Sequence, residues 1–187
     1  MITTREQGPG LPAQFRLKDE ACVEIRRLAI PDYDAVVRLS ETLTEHECYL
    51  RFFTMHPGYL DEWARSLTEQ REGLFAIGAF EDGALIGIAN YALTRTAGCA
   101  EIAVLVAHDQ HERGVGTALL QSLGHAAVAH GLHYFVADVL AENYLMLKVI
   151  SDIGWPWTRH LDSAVFRIEL DLANLDGAKP RIIEPPQ

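Results

Sequence analysis

The segment from Glu101 to Leu120, E-I-A-V-L-V-A-H-D-Q-H-E-R-G-V-G-T-A-L-L, holds the residues whose types and spacing have the clearest chemical consequence. An apolar strand breaks into a polar loop, and Gly114 and Gly116 open a long amphipathic helix. A helix leaves its first backbone N–H groups unpaired, and its macrodipole places partial positive charge at the same end. Arg113, Gly114, Val115 and Gly116 lie at that point, and the two missing side chains let a phosphate reach the donors. The spacing therefore predicts a ligand that carries a pyrophosphate. It differs from the G-x-x-x-x-G-K-[ST] loop of nucleotide hydrolysis, and residue 119 is leucine where a G-x-G-x-x-G dinucleotide fingerprint has its third glycine. Coenzyme A is then the leading candidate ligand.

The run His111-Glu-Arg-Gly-Val-Gly116 resembles the (Q/R)-x-x-G-x-(G/A) signature of the GCN5-related N-acetyltransferase superfamily, with His111 standing where the family usually has Gln or Arg. Downstream, the segment from Asn143 to Gly154-Trp155 is similar to the family's N-x-x-A-x-x-x-Y-x-x-x-G-F stretch, with the asparagine, glycine and aromatic in register and Ile150 in the tyrosine slot. Two further segments resemble bacterial Pat-type protein-lysine acetyltransferase domains. They are Tyr49-Leu-Arg-Phe-Phe53, similar to Y-x-R-F-F, and Ala100-Glu-Ile-Ala-Val, similar to the strand that carries the catalytic glutamate. Without the resemblance, Tyr49 to Phe53 would be an aromatic-rich helix filling the core, and Glu101 a carboxylate at a strand start facing water.

The resemblance implies acetyl-CoA as cosubstrate. His111, Glu112, Arg113, Gly114, Val115, Gly116 and Thr117 would form the phosphate loop, and the backbone of Val104 and Val106 would pair with the pantetheine amides. Asn143 is first a helix cap, with pantetheine or acceptor contact as an added role. Glu101 is the implied general base, with Asp138 and Glu142 as alternatives. Such a base has a definite task, because an ammonium with a pKa near 10.4 is neutral at pH 7 in about one molecule in 2,500, a deficit of roughly 4.6 kcal/mol. Ile150 cannot protonate a departing thiolate, and Tyr144 falls at the first turn of the helix rather than two turns in. A thiol of pKa about 8.5 leaves without that help. No H-x-x-x-H or similar ligand spacing occurs, so no metal is expected.

The elements that must position these residues follow from periodicity. Val23 to Leu28 alternates as a strand, and Pro31 to Leu43 and Gly58 to Glu69 are helical. Leu74 to Phe80, the turn Glu81-Asp-Gly83, and Ala84 to Leu93 predict a hairpin; Cys99 to Ala107 is a further strand. The signature helix should run from Arg113 to His130, with Gly131 just past its end. His133 to Leu140 is a strand, Asn143 caps a helix, and Ala164 to Leu170 is the last strand. The order β-α-α-β-β-β-α-β-α-β matches the acetyltransferase fold. The expected class is α/β (α+β), one GNAT-type domain over residues 21–170 with a mixed, mostly antiparallel central sheet and helices on both faces. The fourth and fifth strands of that family splay to admit the pantetheine arm. Residues 1–20 and the Pro-containing stretch 171–187 show little periodicity and are expected to be mobile or loosely docked.

With 187 residues, 49% of them hydrophobic and 22% charged, the chain suits one domain with a real core. Its 16 basic and 26 acidic residues give a formal charge of −10, which argues against nucleic acid or an anionic membrane and favours a cationic acceptor. Cys22, Cys48 and Cys99 are odd in number and contain no C-x-x-C, so a reducing cytoplasm fits. No apolar run is long enough to span a bilayer. Three functions remain: a protein-lysine acetyltransferase, a small-molecule amine acetyltransferase on the same fold, and a catalytically silent acyl-CoA-binding regulatory module.

Overall fold

A computed structural model of the chain describes residues 11–55, 57–173 and 175. Two strands, β1 (Ala13–Arg16) and β2 (Cys22–Arg27), precede three helices, α1 (Tyr33–Glu41), α2 (Glu45–Phe52) and α3 (Leu60–Thr68). Then come β3 (Leu74–Glu81), β4 (Ala84–Leu93), β5 (Cys99–Val106), α4 (Val115–Ala129), β6 (Tyr134–Leu140), α5 (Tyr144–Asp152), β7 (Trp157–Asp162) and β8 (Val165–Asp171). All eight strands form one sheet in the order β1-β2-β3-β4-β5-β6-β8-β7. Only β5 and β6 run parallel; every other pair is antiparallel.

Local rules account for most boundaries. Asp82 and Gly83 take φ values of 48° and 82°, the double positive φ of a type I′ turn, which matches the twist of the flanking strands and closes β3 onto β4. Gly131, at φ 83°, ends α4 in the left-handed conformation that glycine adopts without a Cβ penalty. The Asn143 Oδ1 accepts the Met146 N–H at 3.1 Å and starts α5.

Helices cover both faces. Leu119, Leu120 and Leu123 of α4 and Ile150 of α5 are fully buried against Ile77, Ala89 and Ile102 of the sheet. Val36, Leu39, Ala64 and Leu67 of α1 and α3 cover Leu28, Ile88 and Leu105 on the opposite face. Each fully buried Leu or Ile contributes about 1.5–3 kcal/mol. Trp155 is locked in the first layer: its indole lies against Gly124, where any Cβ would collide with the ring, and its Nε1–H donates to the Leu175 carbonyl at 3.2 Å.

The sheet departs from the sequence expectation at its two edges. The stretch before residue 21 is not a loose segment throughout, because β1 pairs with β2 from Ala13↔Ile25 to Arg16↔Cys22 and Leu17 enters the core. At the other edge, β7 forms a hairpin with β8 that periodicity did not signal; Trp157 is buried and Thr158 to Asp162 are exposed. Such a strand carries no alternation to detect. Leu172 is also buried, so the packed domain continues past residue 170. Residues 1–10 and the prolines of the C-terminal stretch lie outside the described residues.

One interruption of the sheet matters most. Strands β5 and β6 pair only at Cys99↔Tyr134, Ala100↔Phe135 and Glu101↔Val136, whereas β6 stays paired with β8 as far as Leu140↔Val165. The sheet therefore splits immediately after Glu101, with β5 continuing along one side and β6 along the other.

Candidate active site

The split opens into a cleft of about 840 Å³, open solvent included, walled by β5, α2, α5 and the start of α4. At its far end the chain makes two left-handed steps, Glu112 at φ 62° and Gly114 at φ 98°, and enters α4. No side chain caps that helix and its first turn holds no acidic residue, so the N–H groups of Val115, Gly116 and Thr117 are available to an anion. Gly114 is needed for its φ, since a Cβ there would meet nothing closer than Lys18 Cγ at 3.9 Å. Gly116 is needed for space: its Cβ would lie 2.9 Å from Val149 Cγ2 of α5. His111, Glu112, Gly114, Val115, Gly116, Thr117 and Asn143 all face the cleft, together with Val104 and Val106.

The strand wall presents its backbone to the cleft. The Ala107 N–H donates to the Ile86 carbonyl at 2.9 Å, so by alternation Val104 and Val106 turn their N–H and C=O groups away from β4 and into the split. The Val106 carbonyl already accepts a bond from His111 Nε2 at 3.1 Å. His111 thus carries its proton on Nε2 in this arrangement, because a carbonyl can only accept.

Arg113 does not face the phosphate position. Its guanidinium is held by Glu81 at 2.7 Å and Asp19 at 2.6 Å, with Gln110 also in contact, and it fastens the β1–β2 turn to the loop before α4. Those carboxylates, Glu81 first, raise its pKa, while its charge lowers theirs. Of the cations that line the cleft, Lys18, Arg51 and Lys148, the one beside Gly114 is Lys18, whose backbone N–H donates to the Arg113 carbonyl at 3.1 Å. Lys18 lies in the segment that the sequence assigned no role, and only the strand pairing of β1 brings it there.

Glu101 is exposed and occupies the last paired rung before the split. It shares its side of β5 with Leu105 and Ala107, which pack beneath α1 and α3, so its carboxylate is on the helical side where α2 lies. There Arg51 donates to Asn90 Oδ1 at 3.3 Å and lies over the rings of Phe52 and Trp63 at 4.9 and 5.8 Å. Burial pushes the Arg51 guanidinium down to about 10, opposed by the fields of Tyr59 and Glu101. It remains a cation at neutral pH, beside Glu101. The Tyr49 to Phe53 segment is therefore not the core filler its aromatic content suggests: Tyr49 to Phe52 are half-buried and Phe53 is 46% exposed, while Leu50 and Arg51 line the cleft.

The alternative bases lie on the other side of the split, and like Glu101 neither is among the residues lining the cleft. Asp138 is engaged by Arg167 Nη1 at 2.8 Å, and Glu142 is exposed in the turn ahead of α5. Ile150 is 0% exposed and belongs to the core, and Tyr144 is 71% exposed. No tyrosine or cysteine is among the described residues lining the cleft. Ligand spacing along the chain gave no metal site, yet the fold gathers Glu47, His108 and His111 from separate elements. The Glu47 carboxyl is held below its usual range; burial acts to raise it, but bonds from the Thr44 backbone, His108 and the Thr44 hydroxyl prevail.

The sequence matches the Acetyltransferase (GNAT) family over residues 39–155, more than half of the chain. It is 33% identical over 87 residues to acetyltransferase Pat of Mycolicibacterium smegmatis, an alignment covering 46% of this chain and 26% of that protein. The chain thus spans about a quarter of that relative's length. Among solved structures, the GNAT domain of S. lividans PAT superposes with a TM-score of 0.77 at 28% identity, covering 85% of this chain and 96% of that one. The paia N-acetyltransferase of Thermoplasma acidophilum, solved in complex with coenzyme A, shares the fold at a TM-score of 0.60 and 18% identity, over 80% of this chain and 98% of that one.

Proposed function

Because the chain belongs to the acetyltransferase (GNAT) family, we propose that it transfers the acetyl group of acetyl-CoA directly to an amine, with the lysine side chains of proteins as acceptors and Glu101 as general base. One observation carries the reading: Glu101 occupies the last paired rung before the β5–β6 split, and the same split leads to the uncapped start of α4. The cradle suits a pyrophosphate in charge and in space, since its helix start is unopposed by any acidic side chain in the first turn. The N–H groups of Val115, Gly116 and Thr117 would hold the phosphates with Lys18, and the backbone of Val104 and Val106 would hold the pantetheine arm. When bound, acetyl-CoA supplies an acyl thioester whose C–S bond is exchanged for an N–C bond. Glu101 accepts the proton that the acceptor ammonium must lose. Ile150 and Tyr144 are both out of reach, so water returns a proton to the sulfur.

Support for a protein acceptor comes from the likeness to Pat in sequence and to the PAT domain in structure, together with the Tyr49 to Phe53 segment beside Glu101. The charge of −10 suits a cationic acceptor. The three cysteines are free thiols, which suits the cytoplasm, and among the described residues no helix is long and apolar enough to cross a membrane. Incubation with radiolabelled acetyl-CoA, a panel of lysine-bearing proteins and a panel of free amines tests the reading. Label on protein lysines that disappears with Glu101→Gln supports it. Label only on small amines transfers the assignment to that class, and label on neither leaves a silent acyl-CoA-binding module.

A further inference from the structure

A cluster on the cleft wall has no part in the proton transfer proposed above, although one member, His111, belongs to the loop expected to meet the phosphates. Glu47 stands in the first turn of α2, where its Oε2 accepts from the Thr44 N–H at 2.8 Å and the Thr44 hydroxyl at 2.9 Å. That capping arrangement fixes the carboxylate and leaves Oε1 directed at two imidazoles, His108 Nδ1 at 2.8 Å and His111 Nε2 at 3.7 Å. The three donor atoms lie within 4.8 Å of one another. Two metal–ligand bonds of about 2.0–2.1 Å at a tetrahedral angle separate their ligand atoms by about 3.3 Å, and the two measured spacings fall on either side of that value. One carboxylate oxygen and two imidazole nitrogens form a donor set suited to Zn²⁺.

We propose that Glu47, His108 and His111 bind one Zn²⁺ ion, with Thr44 as the outer partner that orients the carboxylate. Three protein ligands leave a fourth position, and because Glu47 and His111 line the cleft, water in that position faces it. The ion would join α2, which carries Arg51, to the loop that leads into the phosphate cradle, linking residues 61 positions apart. To bind, His108 must give up the Nδ1 proton that it donates to Glu47, and His111 must lose its Nε2 proton and release the Val106 carbonyl, which then faces the split without that donor. This site does not depend on the acyl-transfer assignment.

Calorimetric titration of tag-free, chelator-treated protein with ZnCl₂ tests it. The parent chain should take up one ion per chain, and Co²⁺ in place of Zn²⁺ should give the visible absorption of a low-coordinate nitrogen and oxygen site. Loss of an outer partner alone costs about 10–100-fold in affinity, so His108→Ala and Glu47→Gln should each weaken binding by about 100-fold or more. His160→Ala, an exposed histidine on β7, should change nothing. The His108 side chain is 68% exposed, so its removal leaves the core intact even if Glu47→Gln unfolds α2. Absence of saturable one-to-one binding in the parent, or equal affinity in parent and His108→Ala, would overturn the proposal.

Discussion

A single methyl added at Gly116 should destabilise the protein, and removing Val149 Cγ atoms should relieve it. The Cβ of Gly116→Ala would lie 2.9 Å from Val149 Cγ2, 3.7 Å from Val106 Cγ2 and 3.8 Å from Val149 Cγ1. Carbon atoms pack at about 3.5–4.0 Å, so Val149 would have to retreat by about 0.6–1.1 Å. It has little room, because the next residue, Ile150, is completely buried and holds α5 against α4. Overpacking of this kind costs about 1–3 kcal/mol, and the better helix propensity of alanine offsets about 1 kcal/mol. The expected net loss is about 1 kcal/mol. Val149→Ala alone should also cost about 1 kcal/mol, since the side chain is only half-buried. In the double variant the clash is absent, so the two losses should fall short of their sum by about 1 kcal/mol or more, well above the 0.3–0.5 kcal/mol scatter of independent sites. Urea denaturation of all four chains measures this, with a common slope as the check that the transitions are comparable. Losses that add to within that scatter, or a Gly116→Ala chain more stable than the parent, would refute the idea that this glycine is set by the α4–α5 seam beside the cleft.

The other predictions concern chemistry, ligand charge and acid stability. Glu101→Gln should lower turnover at pH 7 by about 10²–10⁴-fold with acetyl-CoA affinity unchanged, and regain part of the deficit at alkaline pH where free amine is abundant; full turnover at pH 7 would move the base elsewhere. Tyr144→Phe, at a 71% exposed side chain, should have little effect. Lys18→Gln should weaken coenzyme A binding by up to about fivefold at low salt, with the difference shrinking at high salt, and calorimetry showing no difference at low salt would remove Lys18 from the site. Asp32 accepts from Arg26 at 2.7 and 2.9 Å, and that guanidinium lowers its pKa below the unfolded value of about 3.9. The bond's contribution is thus complete well above pH 4 and lost as pH falls through the depressed folded value, so the stability gap between parent and Asp32→Asn, about 1–2 kcal/mol at pH 7, should close as pH falls below about 4. A gap independent of pH would show that packing, and not charge, holds this residue.

What the residues determined by themselves is local. The uncapped glycine start of α4, the Asp82-Gly83 turn, the Gly131 helix stop and the Asn143 cap were all legible, because each depends on backbone conformations and hydrogen bonds among residues a few positions apart. The core face of α4 was legible for a related reason, since burial on one side imposes a period on the sequence, whereas β3 to β5, covered on both faces, were legible as apolar runs bounded by turns. Tertiary structure decided the two edge strands. Strand β7 has an exposed edge and no apolar alternation, and β1 does alternate, with Ala13, Phe15 and Leu17 inward, but its four residues become a strand only by pairing with β2. The charges of the cleft are likewise non-local. Arg113 finds Asp19 across 94 residues and turns away from the start of α4, where Lys18 lies instead, while Glu47 meets His108 across 61. Side-chain partners at such distances are fixed by strand register and helix docking, whose free energy comes from the whole core and not from the spacing of the charged residues.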